Sequence, residues 1–593
     1  MAFSGFDPRL LAELRRRDVS WGQTYLLQRI LRAISWTSLF SQHVAGLAGM
    51  SAELPRAQAV LRSFADTGQP GRALGRAHCE AAAYTVTRWG VDDLRQSLVD
   101  AAAMIAVQSN PLDELKVLAL STAAEIDAYL PKIHGLLDHA LAEAWHSAGD
   151  LDLVADEFAC LVATTDRDPG ALTHDLIRAF RTMNKVDAAA LKGLLLPEAS
   201  AYRVAVVVHG AAELTRLDAL HETAVCSAVR EPERLGFGAA LGRLRRFTRQ
   251  VPANGAACLV ACQVSAVDAP SAGRVARREL AELLDQYMAG HRLVALSLGD
   301  DVFVSRVDSG ESRHIQSHTP TVHRAVPLVS HWPGTLRNGL RMAHVARATE
   351  APLPAAALAW AALEACGLNK REDIAAALAL QAMRQQIVEA HQQLRQGIQT
   401  VPAELRLIDN YATTNDFNRL HDLNAWADLL LPERNSEDPA VTVARDALTS
   451  LLSQMSPLAA QQVKDWSARL LDPVACAQWL ADRHQRIATF LHALNATRNM
   501  SLHTGQFRAF GDVTLGIGGS LVVDFTLEVL GNWYRNADQD ALTTSPAKVI
   551  ALLARRQRDL VERLRTHDGP LFDLNVAWLT SPTPMGIWSR SDG

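Results

Sequence analysis

The stretch that decides the reading of this chain is DPVACAQWLADRHQRIATFLHALNATRNMSLH, residues 472–503. Its apolar residues recur at threes and fours, which predicts a single helix of about 30 residues. Asp472 stands where an N-cap belongs, Pro473 where the first helical residue belongs, and Gly505 where a helix stops. Ile487, Leu491, Leu494, Arg498 and Leu502 fall along one row of this helix. Four of the five are core residues, and Arg498 interrupts them. Burying an arginine without a partner is costly, so Arg498 must snorkel, pair with an acid, or face a second surface.

A second row carries His492, Asn499 and His503. Asn499 and His503 are four apart and share a face. Arg498 and His503 are five apart, about 140° around an ideal helix. They cannot stack, but they can converge on something lying across the helix end. Arginine holds a phosphate in a forked geometry and neutralises charge developing at phosphorus. Histidine titrates near neutrality and moves protons, and in a last helical turn the carbonyl dipole favours its charged form. An amide at Asn499 could orient His503 or hold a phosphate oxygen. Arg, Asn and His without a metal suit in-line attack of an RNA 2′-hydroxyl on its neighbouring phosphate. The arginine-to-histidine spacing recurs from Arg486 to His492 on the same helix.

Arg498-Asn499-Met500-Ser501-Leu502-His503 resembles the RNxxxH form of the Rx4–6H motif of HEPN domains. Upstream, Leu358-Ala-Trp360-Ala-Ala-Leu363-Glu364 resembles the opening helix of the Apea-like HEPN group, with its WxxLE-type pattern. The resemblance covers about residues 340 to 567 and leaves the first 340 residues unaccounted for. It implies an all-α bundle and metal-independent endoribonuclease action. It implies Arg498 and His503 as catalytic residues with Asn499 in support. It further implies two units paired so that both motifs line one cleft, and a role in bacterial antiphage defence. The segment between Glu364 and Arg498 is longer than a minimal bundle needs, so an insertion is expected there.

Outward from this helix, the 593 residues are too many for one core and suggest about three or four domains. The composition is 48% hydrophobic and 21% charged, with Ala and Leu runs and few aromatics, which favours helix. Seven Lys stand against 52 Arg, as a GC-rich coding bias would give. A net charge of −5 gives no global field for nucleic acid, so any RNA contact needs a local patch. Seven scattered Cys without a CxxC argue for a reducing compartment and against a disulfide scaffold or zinc site. The beginning of the chain, MAFSGFDPRLLAELRRRD, turns charged too early for a secretory signal, and no run has the apolar length to span a bilayer. A cytoplasmic protein with no membrane partner and no cofactor is expected.

Residues 1–196 read as a helical region, with LLAELRRR, TYLLQRILRAISW, DLRQSLVDAAAMIAV and IHGLLDHALAEAW separated by breakers such as DTGQPG and SNP. Residues 197–335 read as a small α/β domain. YRVAVVVHG and CLVACQV are strand-like, and a charged helix follows from about Ala272 to Met288. HRLVALSL and VFVSRV flank Gly299-Asp300-Asp301, read as a hairpin turn. Residues 336–593 read as the HEPN-like bundle with a C-terminal tail. Within it NYATTNDFN and LPERNSEDPA are polar breaks, and Gly516-Ile-Gly-Gly519 reads as a connector. The fold class expected is mainly α and multidomain.

Four further stretches carry residue types that could do chemistry. Arg243, Arg245, Arg246 and Arg249, interleaved with Leu244 and Phe247, make the best basic patch, either a contact for RNA or a solvated helix face. His314, His318, His323 and His331 lack the acids, cysteines or fixed spacing of a metal site and read as connector histidines. Gly236-Phe-Gly238-Ala-Ala-Leu-Gly242 misses the dinucleotide-loop spacing and reads as a turn or helix start. Gly516–Gly519 lacks the Lys and Ser/Thr of a phosphate-binding loop. The functional expectation is an RNA endonuclease that pairs as a homodimer and answers a phage-derived trigger or partner protein. The other reading is a catalytically silent helical scaffold that recruits a partner or nucleic acid.

Overall fold

A computed structural model gives the architecture of the chain, and it describes residues 7–34, 49–67, 72–107, 110–143, 148–182, 188–249, 256–291, 295–316, 332–349, 352–399, 450–504, 512–535 and 543–567. The fold is mainly α, with one five-stranded antiparallel sheet in the middle of the sequence. The polar breaks at 410–418 and 431–440, His318, His323 and His331, and the C-terminal tail lie outside the described residues. No helix among the described residues is long and apolar enough to cross a membrane.

By compactness the chain divides into two units, one of residues 1–160, 322–346 and 356–593, the other of residues 161–321 and 347–355. The helices of the beginning and the end of the chain therefore fall in one unit, which distance along the sequence does not suggest.

In the helical unit, α1 (Pro8–Arg16), α2 (Trp21–Ala33), α3 (Met50–Thr67), α4 (Arg72–Arg88), α5 (Asp92–Ala106) and α6 (Leu112–Glu143) come first, followed by α7 (Ala148–Thr164). Asp7 and Ser20 cap α1 and α2 by accepting amide hydrogens from Arg9 and Gln23. The later part supplies α12 (Gly334–Ala348), α13 (Pro352–Ala365), α14 (Arg371–Gln399), α15 (Pro457–Leu471), α16 (Pro473–Thr504), α17 (Asp512–Arg535) and α18 (Pro546–Thr566). α16 is the long helix of residues 472–503. Asp472 Oδ1 accepts from the amides of Val474 and Ala475, as an N-cap does.

A large core joins these later helices: Trp360 and Leu363 of α13, Leu378 of α14, Leu491 and Leu494 of α16, Phe525 and Trp533 of α17, and Ile550 of α18. α16 also reaches the N-terminal helices, where Ala496 packs with Val60 of α3 and Ala77 of α4.

The expected connector at Gly516–Gly519 is corrected, since these residues lie inside α17. A Cβ added at Gly519 would stand 3.0 Å from Leu494 Cδ1 and 3.2 Å from Ala359 Cβ. The glycine is there so that α17 can press against α16 and α13. Close helix contact, not chain flexibility, explains this residue.

The second unit holds α8 (Pro169–Thr182), α9 (Ala188–Leu195), β1 (Ser200–His209), β2 (Val225–Ala228), α10 (Leu241–Thr248), β3 (Ala257–Ala266), α11 (Ala269–His291), β4 (Ser297–Arg306) and β5 (Ser312–Gln316). The strand order is β2-β3-β1-β4-β5. Alternation sorts β1 between two cores. Val204, Val206 and Val208 face α11, while Ala205 and Val207 pack with Leu244 and Phe247 of α10. With both faces covered, the strand reads as a continuous apolar run.

The expected hairpin turn at Gly299-Asp300-Asp301 is also corrected. These residues run inside β4, where its register against β1 shifts between Val206 and Val208. Gly299 lets the irregular strand lie against Val207, whose Cβ and carbonyl oxygen are both 3.3 Å from where a Cβ would stand. The hairpin turn is one strand later. Arg306 donates its amide to Glu311 O at 2.8 Å, and Gly310 takes φ +66.

Candidate functional site

Arg498 lies in the penultimate turn of α16, and α13 supplies what it meets. Trp360 and Glu364 are four residues apart on α13, hence on one face. The Trp360 ring is 2% exposed, and its Nε1 donates to Glu364 Oε1 at 2.9 Å. The other carboxylate oxygen, Oε2, accepts from Arg498 Nη2 at 2.9 Å. The side chains of Arg498 and Glu364 keep 28% and 36% of their exposure. The pair is thus at the rim of the core. Beyond Leu494 on this row of α16, an indole-anchored carboxylate holds the arginine at the rim of the core.

The two stretches quoted for the HEPN resemblance, on α13 and α16, are therefore brought together through Glu364 and Arg498. Asn499 and His503 belong to the last two turns of α16, and their side chains lie outside the described residues.

Further back on α16, His484 and His492 are two turns apart. Their Nε2 atoms lie 3.1 Å from the two oxygens of Glu372, in the first turn of α14. The second arginine-to-histidine spacing is used structurally at its arginine end. Arg486 is almost fully enclosed, with Nε 2.9 Å from Asp482 Oδ2 and 3.2 Å from the Tyr84 hydroxyl, and Nη1 3.8 Å from Asp156.

Asp156 of α7 is the centre of a buried charge cluster that the sequence did not announce. It is 2% exposed and faces Arg29 at 2.9 Å, Arg88 at 2.9 Å and Arg486 at 3.8 Å. Burial alone would raise its pKa; the three guanidinium groups more than offset this and hold it at about 2. Beside it, Glu157 accepts the amides of Met50 and Ser51 at 2.7 Å, closing the N-terminus of α3. Glu53, Arg56 and His78 form a further buried group, in which burial pushes the His78 pKa down and favours the neutral ring. A groove of about 450 Å³ lies between α4 and α5, with Tyr84, Arg76 and Arg95 among its walls.

The basic patch sits on α10 in the second unit. Leu244 and Phe247 are buried, and Arg243, Arg245, Arg246 and Arg249 are exposed. Arg245 is tied to Glu233 at 2.9 Å through Nε, and Arg243 donates to the Ser312 carbonyl at 3.3 Å. The Gly236–Gly242 stretch is a helical turn leading into α10, with Gly236 at φ +69 closing the turn before it. His314 of β5 lies 3.2 Å from Asp301 and edge-on to Phe247. Among the described residues, no group of three or more His, Cys, Asp or Glu is placed to hold a metal ion.

Glu364 was within the reach of sequence reasoning, since an arginine on an apolar row calls for an acid. Its partner could not be chosen without knowing which helices meet. Compared with protein-family models, with curated proteins and with solved structures, the chain has no match.

Proposed function

We propose that the chain is a metal-independent endoribonuclease of the HEPN type, acting as a cytoplasmic homodimer in bacterial antiphage defence. Arg498 holds the scissile phosphate and neutralises charge at phosphorus. His503 takes the proton from the RNA 2′-hydroxyl or delivers one to the leaving 5′-oxygen. Asn499 orients the histidine or a phosphate oxygen. The observation that carries this reading is the place of Arg498: near the end of a core helix, 28% exposed, and paired with the Glu364 carboxylate at 2.9 Å. An arginine so placed is pre-oriented, and a phosphate can replace Glu364 on its outer face. The first 340 residues would sense a trigger or bind a partner, an inference from fold-level analogy. The arginines of α10 offer a supplementary RNA contact.

The same ion pair favours a second reading. Here Glu364 satisfies Arg498 permanently, and the bundle is a silent scaffold that recruits a partner or nucleic acid. Incubation of the full chain with total cellular RNA in chelator separates the two. The nuclease reading expects fragments ending in 2′,3′-cyclic phosphate and 5′-hydroxyl. Intact RNA bound without cleavage would favour the scaffold.

A further inference from the structure

All seven cysteines are free thiols. Besides Cys258, five are buried: Cys79, Cys160, Cys262, Cys366 and Cys476. Burial pushes Cys79, Cys262, Cys366 and Cys476 up to about 12, and Cys160 upward as well, so none of them forms thiolate readily near neutral pH. Cys226 and Cys258 are arranged differently. β2 pairs antiparallel with β3, so that Cys226 stands opposite Val260 and Ala228 opposite Cys258. Cys258 is thus the diagonal neighbour of Cys226, and both belong to the sheet face that α11 covers.

The Leu214 amide donates to the Cys226 sulfur at 3.3 Å, and Cys258 is its neighbour on the same sheet face. The neighbouring Cys258 and the Leu214 amide lower the Cys226 pKa, partly offset by burial and by Glu213. Cys226 is half-buried, whereas Cys258 is fully buried. One sulfur is reachable and acidic, and the other lies behind it carrying a proton. The reachable one lies on β2, a four-residue edge strand bonded only to β3. An edge strand bonded on one side can move to bring diagonal neighbours within the reach of an S–S bond of about 2.05 Å.

We propose that Cys226 and Cys258 form a reversible redox pair, with Cys226 the peroxide-reactive thiol and Cys258 its resolving partner. The Cys226 thiolate attacks one peroxide oxygen. The O–O bond breaks, an S–O bond forms, and hydroxide leaves, so that sulfur is oxidised by two electrons to a sulfenic acid. The Cys258 thiol then attacks the Cys226 sulfur. The S–S bond forms, the S–O bond breaks, and water leaves with the thiol proton. A dithiol reductant reverses the product by thiol–disulfide exchange. Closure would staple β2 to β3, and the pairing stands independently of any ribonuclease activity.

The test is mild hydrogen peroxide added to the reduced full chain, followed by alkylation in denaturant and peptide mass mapping. The expected result is loss of two alkylatable thiols and a linked peptide joining Cys226 to Cys258, both restored by dithiothreitol. In Cys258→Ser the reaction should stop at a sulfenic acid on Cys226, captured by a dione probe. Cys258→Ala serves where the serine variant does not fold. In Cys226→Ser the alkylation pattern should be unchanged by peroxide. Oxidation spread over other cysteines, a link that omits either residue, or Cys226 no more reactive than the five buried thiols would overturn the proposal.

Discussion

Arg498 of α16 and Glu364 of α13 meet at 2.9 Å, although 133 residues separate them in the chain. Glu364 is itself positioned by the Trp360 indole, so one carboxylate joins a core aromatic to a surface-facing arginine. Both charges keep part of their hydration, so the pair contributes about 1 kcal/mol or less to stability. Glu364→Gln should therefore lower unfolding free energy by no more than about 1 kcal/mol. A double-mutant cycle with Arg498→Ala should return a coupling of similar size, read from denaturant melts. A coupling near zero would mean that the pair does not persist in solution.

Asp156 makes a larger demand. Asp156→Asn would leave Arg29, Arg88 and Arg486 facing a neutral amide in a buried setting. A loss of about 3–5 kcal/mol is expected, the range for breaking a buried pair by removing one partner. The pH dependence has a definite sign. The folded pKa of about 2 lies below the ordinary carboxylate value, so this stabilisation is complete above about pH 4. It is lost as pH falls through about 2. Acid titration of the folded signal should show a steeper decline between pH 4 and pH 2 in the wild type than in the variant. Parallel curves would remove Asp156 from the account of acid stability.

Gly519 and Gly135 should respond to alanine with opposite signs. Gly135 of α6 is exposed, and a Cβ there meets nothing within 4 Å, so Gly135→Ala should gain about 0.5–1 kcal/mol from helix propensity. At Gly519 the added methyl meets Ala359 Cβ at 3.2 Å, and that neighbour has no side-chain freedom with which to withdraw. Gly519→Ala should lower thermal stability despite the better propensity. Stabilisation at both positions would show that α17 packs less closely on α13 than the 3.2 Å approach implies.

The products of RNA cleavage give a fourth prediction. Attack by the 2′-hydroxyl leaves a cyclic phosphate, so fragments should resist 3′ ligation until the cyclic end is opened and dephosphorylated. Fragments bearing 3′-hydroxyl and 5′-phosphate would point to water as the nucleophile and away from a histidine acting on the sugar hydroxyl.

Much of the fold was legible because local signals agreed. The 32-residue helix α16 begins at the Asp-Pro pair that announced it, and the strands over 202–208 and 258–264 follow their β-branched runs. The misreadings share a cause. Gly299 and Gly516–Gly519 read as turn and connector in the sequence because glycine usually breaks regular structure. Here it serves close approach inside a strand and a helix, which only tertiary packing decides. The candidate site was half legible. Arg498 was conspicuous as a charge on an apolar row, but Glu364 could be matched to it only once α13 and α16 were seen to touch. The Asp156 cluster left no local trace, because its arginines come from α2, α4 and α16.

The most direct test of the proposed activity compares wild type, Arg498→Ala and His503→Ala on total cellular RNA with chelator present throughout, each first shown to be folded by circular dichroism. The account predicts cleavage by the wild type and a loss of at least about a hundredfold in both variants, as expected for removing a group that acts on the transition state. Cleavage that persists in both variants at the wild-type rate would contradict the assignment of this site.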